Sequence, residues 1–107
     1  MAYRLRFFFD PGSGVCFWSD SDEAYERFGD YPVLLEDLPL TPRTRADGNA
    51  LIERFDTSLD WECPPDPSPW TKEEARSFRR DALAWFDRVR EELDSDYDLV
   101  NTLRGSA

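Results

Sequence analysis

Apolar and polar positions alternate at the start of the chain, with Tyr3, Leu5, Phe7 and Phe9 on one side and Arg4, Arg6 and Phe8 on the other, the period of a half-buried strand. Turn chemistry follows in Asp10-Pro11-Gly12-Ser13-Gly14, and Val15 to Trp18 resumes a β-prone run, so the two segments predict a hairpin with a loop of about five residues. Capping residues Ser19 to Ser21, the Asp20/Glu23 spacing and Gly29 predict a short helix over residues 21 to 28, with Ala24 and Phe28 as its buried edge. Residues 30 to 40 carry Pro32 and Pro39 among five apolar residues, which reads as a packed connector without a regular element.

Thr41-Pro42 matches an N-cap and first helical position, and Leu51, Phe55 and Leu59 recur at helical spacing, so a helix is expected from there to about Phe55. Gly48 weakens it by about 1 kcal/mol relative to alanine. The proline-rich stretch from Trp61 to Trp70 excludes helix and central strand and reads as a semi-rigid loop, in which the two tryptophans stack on the chain's own prolines or, in the alternative, the prolines offer a polyproline ligand to a partner's aromatic groove. Thr71 and Glu74 then form a capping box, and Ala75, Phe78, Ala82, Trp85, Phe86, Val89 and Leu93 draw one apolar stripe, predicting a long helix over 72 to 94. Asp94-Ser95-Asp96 breaks it, and Tyr97 to Asn101 reads as a closing strand pairing with the hairpin. The order β-β-α-α-α-β segregates strands from helices. It points to an α+β fold in which a small antiparallel sheet is covered on one face by helices.

With 107 residues, 40% of them apolar and 15% aromatic, the chain has the mass for one domain, assigned to residues 1–104, with 105–107 as a disordered tail. Arg4 and Arg6 interrupt the N-terminal apolar run and argue against a signal peptide or membrane span, which places the chain in the cytoplasm. Cys16 and Cys63 lack the density of a disulfide scaffold and are expected to be reduced, Cys16 as a small core residue and Cys63 as an exposed thiol. The formal net charge of −10 repels nucleic-acid phosphates and anionic membranes and attracts cationic partners.

Candidate chemistry is sparse. The chain has no histidine, which excludes Ser-His and Cys-His mechanisms, so no catalytic residue, metal ligand or cofactor is assigned. Asp94, Asp96 and Asp98 open like a calcium loop, but Leu99 occupies the sharp-turn position that wants glycine and Gly105 the position that wants glutamate; a solvated turn explains them better. Two cysteines without histidine do not make a tetrahedral zinc site. Lys72, Arg76, Arg79 and Arg80 form a basic patch at the start of the long helix and read as internal counterions.

The segments Leu5-Arg6-Phe7, Cys16-Phe17-Trp18, Asp56 to Trp61 and Pro64 to Trp70 together resemble short uncharacterised proteins of high-GC, actinobacterial-type bacteria, a likeness that covers most of the chain and lends it no catalytic residue. The bias of twelve arginines to the single Lys72 fits such a genome. By size and charge the chain is similar to immunity proteins, which bind a toxin domain and block its active site or substrate surface. That resemblance implies a non-enzymatic inhibitor that meets a basic protein partner through acidic residues with aromatic anchors. The residues assigned to it are Asp20, Asp22, Glu23 and Glu26 in one stretch, Asp60, Trp61 and Glu62 in another, and Trp70. The inhibitor reading expects a monomer; the alternatives are a structural or regulatory protein that self-associates as a homodimer through a sheet edge or the aromatic proline loop, and a carboxylate-dependent enzyme.

Overall fold

The computed structural model describes residues 3–10, 12–58 and 69–102. In chain order these form β1 (Tyr3–Phe7), β2 (Phe17–Ser19), α1 (Asp22–Phe28), β3 (Pro32–Val33), a 3-10 turn (Leu35–Asp37), α2 (Pro42–Asp56), α3 (Lys72–Glu92) and β4 (Tyr97–Asn101). The fold is α+β, as the segregation of strand and helix patterns predicts, with four strands in the order β3-β2-β1-β4. Residues 59 to 68 and 103 to 107, with Leu59, most of the proline-rich stretch, Cys63 and the expected tail, lie outside the described residues.

The hairpin forms with Leu5 opposite Ser19 and Phe7 opposite Phe17, and β3 adds antiparallel to β2. Two expectations are corrected. The sheet is mixed, not antiparallel throughout, because β4 lies parallel to β1 with Tyr3 opposite Tyr97 and Phe7 opposite Asn101. The long connection through three helices returns the chain to the end where β1 begins, where the Tyr3 amide donates to the Asp96 carbonyl at 2.6 Å; such a crossover is what parallel pairing requires. The connector over 30 to 40 is also more ordered than its prolines imply. Pro32 is accommodated because β3 is an edge strand, where a missing amide proton costs no ladder bond.

Alternation in β1 sets the layers. Leu5 and Phe7 are fully buried while Arg4 and Arg6 are exposed on the opposite face. The Phe7 ring stacks on Phe86 at 4.6 Å and meets Phe17 at 5.2 Å and Trp85 at 6.1 Å, so α3 lies on the buried face of the sheet. Phe78, Ala82, Trp85, Phe86, Val89 and Leu93 of the predicted stripe are buried; Ala75, one turn from the helix start, is exposed. Each large side chain so buried contributes about 1.5–3 kcal/mol. Helix ends follow local chemistry: Thr41 and Thr71 cap α2 and α3, the latter with the complete Glu74 box. At α1 the cap is Ser21, accepting from the Ala24 amide, and Gly29 ends the helix at φ 76.

Candidate functional site

The uncovered face of the sheet carries an aromatic row. Phe8 and Trp18 stack at 4.8 Å with 6° between planes, Trp18 meets Tyr31 at 4.9 Å, and Tyr31 stacks on Tyr25 of α1 at 6.3 Å. The Trp18 indole is held by donating to the Phe8 carbonyl at 3.0 Å, and the residue is buried, while Tyr25 and Tyr31 are exposed. Beside the row, Arg4 and Arg6 both pair with Asp20, at 3.1 and 3.2 Å. Alternation puts both guanidiniums on the open strand face, and Asp20, at the end of the neighbouring strand, lies within reach of both.

The predicted binding residues divide between two regions. Asp20, Asp22 and Glu23 line one hollow with Arg4, Tyr25 and Tyr31, and Glu26 lines an adjoining one with Tyr3, Glu23 and Arg27. Within this group Asp20 is committed to the two arginines, whereas Asp22, Glu23 and Glu26 make no ion pair among the described residues. Trp70 lies at the other end of the core, half-buried against Phe55 and Phe78, its indole donating to the Thr57 hydroxyl at 2.8 Å. Phe9 touches Phe55 and Phe78 there, while Tyr3 touches Phe28 of α1, so the length of β1 and its continuation, about 20 Å, separates the two regions. Asp60, Trp61 and Glu62 lie outside the described residues.

Most other ion pairs of the described residues fall on α2 and α3. Arg54 pairs with Asp81 at 2.8 Å, Arg88 with Asp47 at 2.9 Å and Arg90 with Asp87 at 3.8 Å. Arg45 instead donates to the carbonyls of Leu35, Leu38 and Leu40, fixing the connector. In the predicted basic patch, Arg80 approaches Asp81 at 3.7 Å. The basic side chains are thus spent largely on α2, α3 and the open sheet face, and the acids of α1 are left to solvent next to two exposed tyrosines. The tyrosines escape a sequence reading because nothing in their spacing separates an exposed ring from a core one.

The titration shifts among the described groups leave each in its ordinary charge state at neutral pH. Hydrogen bonding from Arg54 holds Asp81 below the usual carboxylate range, and hydrogen bonding from Thr44 and Thr41 does the same for Glu92, so both are anionic at neutral pH. Burial pushes the Cys16 thiol up, which keeps it protonated. Asp94 accepts from the Asp96 amide at 2.9 Å and its carbonyl from the Tyr97 amide at 3.2 Å, a turn leading into β4. Among the described residues no three His, Cys, Asp or Glu side chains converge as metal ligands, and no helix is long and apolar enough to cross a membrane.

A comparison with curated proteins finds no match. A family model described as Serratia CdiI immunity protein-like matches residues 10–102, from the hairpin loop through β4, and on that extent the chain belongs to that family.

Proposed function

We propose that the chain is an immunity protein that neutralises a toxin domain by binding it, without chemistry of its own, and that the α1 end of the molecule faces a basic surface of that toxin. The observation that carries this reading is the family match over residues 10–102. The surface supports it: Asp22, Glu23 and Glu26 are unpaired among the described residues and adjoin the exposed rings of Tyr25 and Tyr31. Carboxylates of this kind steer a cationic partner into place, and rigid tyrosines supply apolar contact at low entropic cost.

The test is affinity capture from the native cell, together with growth of cells that produce the toxin domain so captured. Wild type should retain the toxin at low salt, release more of it at high salt and restore growth. The triple variant Asp22→Asn, Glu23→Gln, Glu26→Gln should bind about tenfold more weakly at low salt, mostly through a slower association rate, with its melting temperature little changed. Unchanged toxin affinity in the triple variant would move the interface away from α1, and toxin-producing cells that stay inhibited by a stably expressed chain would remove the immunity reading.

A further inference from the structure

The outer side of the α2–α3 pair carries a groove of about 300 Å³ whose floor is Ala50, Leu51, Ala84 and Trp85. Its four corners are charged: Asp47 and Arg54 on α2, Asp81 and Arg88 on α3. The helices arrive at this arrangement through one octet used twice. Asp47-Gly48-Asn49-Ala50-Leu51-Ile52-Glu53-Arg54 and Asp81-Ala82-Leu83-Ala84-Trp85-Phe86-Asp87-Arg88 share acid, small, variable, alanine, two apolar residues, acid and arginine in the same order. The helices run antiparallel, so the octets meet head to tail and pair reciprocally, Arg88 with Asp47 at 2.9 Å and Arg54 with Asp81 at 2.8 Å. The groove therefore has a local twofold, and its corners alternate in sign both along each helix and across the gap.

We propose that this groove is the contact face of a homodimer. An alternating square of charges is complementary to itself: turning a second copy over it about either in-plane axis sets every aspartate against an arginine. This is the self-matching that an isologous interface demands. The corner side chains keep the capacity for a second partner, being 37 to 47% exposed after pairing within the chain. Each guanidinium has five donors, and Arg54 and Arg88 each spend one nitrogen on the aspartate and one on a hydroxyl, Ser77 and Thr44 respectively. Ala50 and Ala84 are exposed between the corners, where their small side chains let a facing helix approach to the 8–10 Å typical of packed pairs. The overall charge of −10 opposes association at low salt, but at physiological ionic strength it is screened beyond about 8 Å, while charges in contact are not. The dimer is thus expected to be weak at low salt and to tighten as salt approaches the physiological range. It leaves α1 free and is independent of the toxin-binding reading.

Sedimentation velocity of the intact chain at physiological salt, from micromolar to millimolar concentration, should show a reversible monomer–dimer equilibrium. Ala50→Glu and Ala84→Glu place good helix formers at exposed positions, so both should melt like wild type while raising the dimer dissociation constant at least about tenfold. In a Cys63→Ser background, Ala50→Cys should cross-link to itself under oxidation if the twofold runs across the helices, and Ala50→Cys mixed with Ala84→Cys if it runs along them. A wild type that stays monomeric throughout, a dimer indifferent to both glutamates, or the absence of both cross-links overturns the proposal. So does a monomeric wild type whose toxin affinity falls with Ala84→Glu, which would give the groove to the toxin.

Discussion

Gly48 lacks the side chain that would otherwise collide with the neighbouring helix: a Cβ there would lie 2.3 Å from the Trp85 indole and 2.7 Å from a Leu35 methyl. The indole is anchored where it is by donating to the Thr44 carbonyl at 2.8 Å, so it has little freedom to retreat. The glycine that weakens α2 as an isolated helix is what allows Trp85 to sit under it. Gly48→Ala, which stabilises an ordinary helix interior by about 1 kcal/mol, is therefore expected to destabilise the chain by about 1–3 kcal/mol through overpacking, measured by urea unfolding. A stability gain would mean that the indole moves aside easily. Arg4, Arg6 and Asp20 make the same point on the open face. Their alternation is legible in the sequence, but that Asp20 serves two arginines of the same molecule depends on hairpin register, and so the acid with the clearest internal role is one that the chain's linear pattern assigns to a partner.

At the scale of elements, α3 and α2 are tied at their ends as well as along their length. Glu92, in the last turn of α3, accepts from the Thr41 amide at 2.8 Å, from the Thr41 hydroxyl and from the Thr44 hydroxyl, and so links the C-terminus of one helix to the first turn of the other. These bonds favour its charged form and lower its pKa in the folded state. The sign follows from linkage: the stabilisation is fully present above the unfolded value of about 4.3 and is lost as pH falls through the lower folded value. Glu92→Gln should therefore melt below wild type at neutral pH, and the gap between the two should close below about pH 4. A gap constant across that range would assign the effect to packing alone. The caps themselves, Thr41 with Pro42 and Thr71 with Glu74, are local and were legible in the sequence for that reason. The Glu92 link spans 51 positions and has no local signature.

At the scale of the molecule, β4 closes the sheet. It pairs along the whole of β1, and just beyond it the Thr102 hydroxyl and amide both donate to the Phe7 carbonyl. A chain ended after Ser95 would leave β1 as an edge and uncover its backbone along five residues. It should lose the cooperative thermal transition seen by near-ultraviolet circular dichroism, whereas a chain ended after Thr102 should keep it. Charge is also distributed at this scale. Ion pairs fall on α2, α3 and the open sheet face, and Asp22, Glu23 and Glu26 of α1 stand outside them.

The sequence by itself determined whatever rests on neighbours within a few positions. The alternation of β1, the stripe and caps of α3, the Thr41-Pro42 start of α2 and the α+β class all follow from periods and caps that the chain carries locally. Tertiary structure alone decided the direction of β4, the pairing of Asp20, the exposure of Tyr25 and Tyr31, and the meeting of the two octets across α2 and α3. Each of these depends on where distant segments come to rest. Strand direction follows from where α3 delivers the chain, and the pairing of Asp20 follows from the hairpin register that sets it beside Arg4 and Arg6.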